Sequence, residues 1–306
     1  MIQTIGILSP GDMGAAIGQA LAGQGLRVVA ALDARSARTR RLAAEAGLED
    51  VGSVERMVEA SDAVLSVLVP AQAVAAAERV AAALRSVGTS LLYADLNAVA
   101  PATTRRIGEI VEAAGARYVD GGIIGPPPRD RATRIHLSGP HARELAALAD
   151  QVLEFVVVGP QIGQASGLKM CYAALTKGLT ALGTELMVTA HQLGLHEPLR
   201  AELEHSQQAL LSWLTRSIPG MPPKAHRWVG EMEEIAATFE GIGLTPRTLL
   251  GAADMYRWVA TTPLGQEAPE RRDQSRGLDE TVVALAEDVP AGATDHARRQ
   301  TATPAS

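Results

Sequence analysis

The most constraining feature is the first twenty residues. A short apolar run, Ile2 to Leu8, enters Ser9-Pro10-Gly11-Asp12-Met13-Gly14 and then a segment carrying Ile17 and Leu21 on one helical face. A strand, a glycine turn and a helix in direct succession are the setting in which a G-x-G-x-x-G-like loop becomes informative. Its glycines let backbone approach a pyrophosphate, and the helix N-terminus offers N–H groups and a dipole that favour anions. Ser9 stands where the first glycine would be, so the motif is incomplete, and the competing reading is a tight turn with no ligand. Asp33 closes a second apolar run, Leu26 to Leu32, 19 residues after Gly14, where an acid would bond a ribose 2′-OH and favour NAD. Arg35 and Ser36 follow at once and are the pair best placed for a 2′-phosphate, while Arg38, Arg40 and Arg41 read as the solvated face of the next helix. The reading favours NADP over NAD. Ser9, Pro10, Gly11, Asp12, Met13, Gly14, Asp33, Arg35 and Ser36 are the candidate cofactor contacts, joined by Val69, Pro70 and Asn97 at the ends of later runs.

Further apolar runs at Ala63 to Val69, Leu91 to Ala94, and Tyr118 with Val119 alternate with helix-like stretches such as Ala37 to Ala46 and Ala71 to Leu84. This alternation predicts an α/β domain, a parallel sheet covered by helices, closed by added strands at Ile135 to Leu137 and Phe155 to Val158. The pattern then changes. Ser166 to Leu195 contains no proline and repeats apolar residues at helical spacing, predicting one helix about 45 Å long. Helices are expected at Leu199 to Thr215, Lys224 to Glu240 and Pro246 to Ala260, so the second half reads as all-helical. A chain of 306 residues is about twice the usual 150 per domain. The expected organisation is residues 1–160, 161–262, and a polar tail over 263–306 with one short helix at Leu278 to Ala286, a linker at Gly265 to Arg276 and a loose end from Pro290.

Composition excludes several classes. Lys and Arg number 28 against 34 Asp and Glu, net −6, and aromatics are 3%, which demotes nucleic acid and anionic membrane as partners. No stretch reaches the roughly 18 apolar residues of a membrane span, and no export signal is visible. A single cysteine, Cys171, forbids an intrachain disulfide and fits a reducing, cytoplasmic setting. Cys171 is expected to be a small buried residue, Trp213, Trp228 and Trp258 to be core anchors, and no His/Asp/Glu set has zinc spacing, so no metal is expected.

The N-terminal loop, Asp120-Gly121-Gly122-Ile123-Ile124-Gly125 and Gly163-Gln-Ala-Ser-Gly-Leu-Lys169, taken in this order, resemble the β-hydroxyacid dehydrogenase superfamily, which includes 3-hydroxyisobutyrate and 6-phosphogluconate dehydrogenases. The stretch Gly220-Met-Pro-Pro-Lys-Ala-His-Arg-Trp-Val-Gly-Glu-Met-Glu-Glu-Ile-Ala resembles the C-terminal domain of a poorly characterised phosphogluconate-dehydrogenase-like branch. The resemblance spans roughly residues 1 to 262. It implies a Rossmann, doubly wound parallel sheet followed by an all-α C-terminal domain entered by a long interdomain helix. It also implies an NAD(P)-dependent oxidoreductase moving hydride between nicotinamide and a small hydroxy acid or related carbonyl.

In the family a catalytic lysine lies in a pattern like G-x-G-x-x-x-K-x-x-N. Here Gly163, Ala165 and Lys169 match with one glycine-to-alanine change, and Tyr172 holds the asparagine position. Lys169 is thereby implied as general acid/base, and Tyr172, Ala173 and Thr176 share its helical face. The family's substrate loop after the sixth strand corresponds to Asp120 through Pro126, implying substrate contacts at Gly121, Gly122 and Ile123 together with Tyr172 and Thr176. Ile124 replaces a serine there, and Arg129, Arg131 and Arg134 are candidates to restore the lost anion contact. Asn97 is a candidate contact to nicotinamide or substrate, or a turn cap. Two other readings stay open: an imine reductase using Tyr172 as proton donor, and a nucleotide-binding sensor or scaffold without turnover. A homodimer is expected, because a few helices around one long helix leave apolar surface uncovered.

Overall fold

The computed structural model describes residues 2–129, 131–268 and 271–290. Its sheet is organised around β1 (Thr4–Ile7), which pairs in parallel with β2 (Arg27–Ala30) on one side and β4 (Ala63–Ser66) on the other. β3 (Glu49–Asp50) lies outside β2. Beyond β4 come β5 (Leu92–Asp95), β6 (Arg117–Ile124), β7 (Thr133–Ser138) and β8 (Leu153–Gly159), in the order β3-β2-β1-β4-β5-β6-β7-β8. All neighbours run parallel except β6 and β7, which form a hairpin. The crossovers are α1 (Asp12–Gly23), α2 (Ala37–Glu45), α3 (Val54–Ala60), α4 (Ala73–Val87) and α5 (Pro101–Glu112), and α6 (Ala142–Ala146) joins β7 to β8.

Successive strand residues enter opposite layers. Ile5, Ile7, Val28, Leu65 and Leu92 pack with Ile17 and Leu21 of α1, whereas Val29, Val64 and Tyr93 pack with Val80 and Leu84 of α4 and Ile107 of α5. Burial on both faces is why these strands read as continuous apolar runs. The chain leaves β1 toward β2 on one side and reaches β4 on the other. The strand ends beside this reversal open the crevice in which doubly wound folds take ligands.

The chain divides into two compact units, one holding everything up to Leu175 plus Gly230–Leu250, the other Thr176–Val229 and the chain from Gly251. The division therefore differs from boundaries at 160 and 262. α7 (Gln164–Gln192) starts in the first unit and ends in the second. The middle of α10 (Ala225–Glu240) belongs with the first because Glu234 accepts the Ala100 N–H at 2.6 Å and the Thr103 hydroxyl at 2.9 Å, capping the start of α5.

The second unit is helical, as expected, with α8 (His196–Ser206), α9 (Gln208–Ser217), most of α11 (Arg247–Thr261) and α12 (Leu278–Glu287). Tyr256 is fully buried there, its hydroxyl donating to the Lys177 carbonyl at 2.6 Å and its ring meeting Trp228 edge-on at 5.2 Å. Trp258 Nε1 donates to the Asp288 carbonyl at 2.9 Å and fastens the end of α12.

Several expectations are corrected. The single helix over Leu199 to Thr215 is two, parted at Gln207 (φ −138, ψ 41). α7 stops at Gln192 because Gly194 takes φ 70 and the Leu195 N–H turns back to the Ala190 carbonyl at 2.7 Å. Cys171 is exposed on α7 rather than buried. Leu264 and Gly265 are buried, and Arg276 Nη2 donates to Glu267 at 2.7 Å, so the expected linker is partly packed. The expected loose end beyond Pro290 lies outside the described residues. Among the described residues no helix is long and apolar enough to cross a membrane.

Candidate cofactor and active site

At the end of β1 the Ser9 carbonyl accepts the Gly11 N–H at 2.8 Å and turns the chain into α1. A Cβ on Gly14 would lie 2.5 Å from that carbonyl oxygen, so only glycine lets the helix start this close to the strand. A Cβ on Gly11 would meet nothing within 4 Å, which leaves open space over the N-terminus of a 12-residue helix. These residues fit a pyrophosphate despite Ser9. The one acid in the first turn, Asp12, is engaged by Arg38 Nη2 at 2.8 and 2.9 Å, so Arg38, on the solvated face as expected, also partners the loop.

Asp33 follows β2, its N–H bonded to the Gly52 carbonyl at 3.1 Å. With Arg35, Gly52, Ser53 and Arg79 it lines a hollow of about 240 Å³. Ala34 between them takes φ 59, a strained left-handed turn. Arg35 folds back, Nη2 donating to the Leu8 carbonyl at 3.0 Å, and burial, then the nearby Arg79, lowers its pKa. Ser36 accepts the Thr39 N–H at 3.2 Å as the cap of α2. Arg40 bonds the Arg35 carbonyl at 3.1 Å and Arg41 pairs with Glu45 at 3.5 Å. Arg79, on α4, carried no sequence signal, since a charge on an Ala-rich helix reads as surface.

Past β4, Val69 is 41% exposed and Pro70 opens a single turn, Pro70–Gln72. Asn97, after β5, is buried. Its amide donates to Ser66 Oγ at 2.9 Å and Asp95 Oδ2 at 3.0 Å, and its oxygen accepts the Leu68 N–H. The structure thus gives Asn97 the work of a clamp fixing the segment that leads to Val69. Burial pushes Asp95 up to about 7, opposed by the bonds from Asn97 and reinforced by the charges of Asp120 and Glu234. A native pKa above the unfolded value means the folded chain holds a proton that the unfolded chain has released. Stability therefore falls as pH rises from about 4 to about 7. Asp95→Asn is expected to remove part of that slope in urea midpoints taken from pH 5 to 8; an unchanged slope refutes it.

Asp120, expected in a loop, sits on β6, which runs on to Ile124 because β7 pairs with it residue by residue, Asp120 against Ser138 through Ile124 against Arg134. Its buried carboxylate accepts the N–H groups of Gly163, Ala165 and Ser166 at 2.9, 3.1 and 3.2 Å, and the hydroxyls of Thr104, Ser138 and Ser166. It therefore caps α7, where the dipole favours a negative charge. Two residues on, a Cβ at Gly122 would lie 2.8 Å from Lys169 Cβ and 3.0 Å from the Ala165 carbonyl, so strand and helix touch at backbone range. Lys169 Nζ donates to the Ile123 carbonyl at 2.6 Å. Gly121 packs beneath Leu96, and Ile123 is buried.

His136 lies directly opposite Gly122 on β7 and so shares its sheet face. It is buried, with Nδ1 lacking a partner among the described residues, and burial first, then the charges of Arg134 and Lys169, lowers its pKa. The imidazole thus stays neutral near Lys169 at neutral pH. Tyr172, half-exposed, follows Lys169 by one turn, and Thr176 is the first residue of the second unit. Arg129 and Arg131 line a hollow of about 340 Å³ with Pro126 and Pro127, while Arg134 pairs with Glu154 at 3.0 Å. Among the described residues no group of three His, Cys, Asp or Glu is placed to hold a metal.

Comparison with known proteins agrees with this fold. Residues 4–156 match the family of the NAD binding domain of 6-phosphogluconate dehydrogenase, and residues 190–259 match a domain of unknown function, DUF1932. An uncharacterised 28.5 kDa protein of Methanothermus fervidus is 28% identical over 256 residues, covering 83% of this chain and 98% of its own. A conserved hypothetical protein from Sinorhizobium meliloti 1021 is 26% identical, with 94% and 97% coverage and a TM-score of 0.67. The 3-hydroxyisobutyrate dehydrogenase of Mycobacterium tuberculosis shares the fold, with a TM-score of 0.69 at 19% identity over 89% of this chain and 98% of that one.

Proposed function

The chain belongs to the family of the 6-phosphogluconate dehydrogenase NAD-binding domain, and from that premise we propose an NAD(P)-dependent oxidoreductase acting between a small hydroxy acid and the related carbonyl, with Lys169 as general acid/base. The observation that carries this reading is Lys169 Nζ held 2.6 Å from the Ile123 carbonyl, on a helix pinned by Asp120. When bound, the nicotinamide gives or takes the hydride. The Lys169 ammonium donates a proton to the carbonyl oxygen in reduction, and the neutral amine withdraws it from the hydroxyl in oxidation. Neutral His136 nearby adds no positive charge beside the ammonium. Arg129 and Arg131 supply positive charge for the carboxylate of the acid.

Arg35 and Arg79 beside Asp33 support NADP. Calorimetric titration is expected to show NADPH binding at least about tenfold tighter than NADH, a preference worth about 1.4 kcal/mol, that Arg79→Ala narrows and Gly14→Ala removes by abolishing both. Equal affinities would hand the site to Asp33 and NAD, and binding of neither would end the enzymatic reading. The half-exposed or exposed Leu168, Tyr172, Leu175 and Leu182 along α7 support a homodimer. Light scattering at micromolar concentration is expected to give twice the chain mass, and a monomer refutes it.

A further inference from the structure

The stretch Pro222-Pro223-Lys224 that leads into α10 gathers positive charge where elementary electrostatics opposes it, and the reaction above makes no use of it. Lys224 is partly buried at the head of the helix, and Arg227 stands three residues on, on the same face. The Arg272 guanidinium comes within 3.9 Å of where a Cβ on Gly220 would lie. All three belong to the second unit. The first turn of α10 contains no acidic residue. Among the described residues neither the Lys224 ammonium nor the Arg227 guanidinium makes a hydrogen bond or ion pair, the Lys224 N–H donates to the Met221 carbonyl at 2.8 Å, and the Arg272 guanidinium donates to the Gln274 amide oxygen at 2.9 Å. The nearby acids are taken: Asp273 by the Ser275 N–H and hydroxyl at 2.9 and 2.6 Å, and Glu267 by Arg276 at 2.7 and 3.0 Å. Burial first, then the charges of Arg227 and Arg272, lowers the pKa of Lys224, and His226 is lowered by burial and Arg227 in the same way.

Three penalties therefore coincide at one place. A partly buried ammonium has no counter-ion, like charges face one another, and a cation sits at the positive end of a helix dipole. A bound anion removes all three at once. We propose that Lys224, Arg227 and Arg272 form an anion site that takes a phosphate-type dianion, free or as the phosphate group of a small molecule. The donor set suits that chemistry. A point-charge ammonium and two forked guanidiniums match the several oxygens and double charge of a phosphate, whereas a monocarboxylate would neutralise only one of three cations.

The test measures unfolding temperature at constant ionic strength in chloride, inorganic phosphate, sn-glycerol 3-phosphate and malonate, for the intact chain and for Lys224→Met and Arg272→Met. Phosphate and the ester are expected to raise the unfolding temperature of the intact chain by about 2–4 °C over chloride. A larger rise with the ester assigns the site to a phosphorylated small molecule, and an equal rise assigns it to free phosphate. Both variants are expected to unfold at the same or a higher temperature in chloride, because repulsion is relieved, and to lose the phosphate response. General salting effects act on intact and variant chains alike and drop out of that difference. A phosphate response that persists in both variants places the anion elsewhere, malonate matching phosphate removes the phosphate assignment, and no response above chloride overturns the site. A variant that unfolds earlier in chloride shows that the cations were not repelling one another and also counts against it.

Discussion

Lys169→Met is expected to lower turnover by about 10²- to 10⁴-fold, the usual contribution of a positioned proton donor, with NADPH affinity unchanged. Methionine keeps the aliphatic stem that packs at Gly122, where a Cβ would lie 2.8 Å from Lys169 Cβ, so the helix should keep its distance from the strand. What is lost is the ammonium that donates to the Ile123 carbonyl at 2.6 Å. Single-turnover NADPH oxidation against a panel of small oxo acids, aldehydes and imines reads the effect directly. The pH profile gives a second readout, since the limb set by the lysine should vanish with it. Activity that survives Lys169→Met but falls in Tyr172→Phe would transfer the proton to the tyrosine one turn on and favour imine reduction. A chain that binds NADPH tightly and turns over nothing in the panel would be the sensor or scaffold.

The cofactor half was legible because its physics is local in sequence. A strand, a glycine turn and a helix occupy adjacent residues, and strands covered on both faces leave apolar runs that need no knowledge of the fold. The long helix was legible for the same reason, except at its end, where Gly194 decides. What stayed hidden depends on distant pairing. Asp120 looks like a loop residue until β7 pairs with β6 and turns the segment into strand, leaving the carboxylate aimed at the head of α7. His136 is one residue of an alternating strand, and only its register against Gly122 brings it near Lys169. Glu234 lies 134 residues from the Ala100 N–H it caps, which is why a cut at 160 and 262 misses the return of Gly230–Leu250 to the first unit. Cys171 was misread as buried, and the pairing of exposed Arg38 with Asp12 was not foreseen. A helix face can be assigned from spacing, but what covers it cannot.

Asp120→Ala should be the most damaging single change to the fold. The carboxylate is fully buried and satisfies six donors from β7, α5 and the start of α7. Truncation leaves those donors buried without a partner and strips the negative charge from the head of a 29-residue helix. Unsatisfied buried groups cost about 1–3 kcal/mol each but are not additive, so a loss of at least about 3 kcal/mol in urea unfolding is expected. Asp120→Asn separates charge from shape. It keeps one acceptor oxygen for the helix N–H groups, so it should fold with a smaller loss, yet it removes a charge that holds the Asp95 pKa up. The window in which stability declines with pH should then move to lower pH, because Asp95 in the variant releases its proton earlier. Lys169 is carried by the same helix start, so catalysis in Asp120→Asn should fall further than cofactor affinity. If Asp120→Ala instead unfolds within about 1 kcal/mol of the intact chain, the carboxylate does not anchor α7, and the placement of Lys169 must rest on its packing against Gly122 alone.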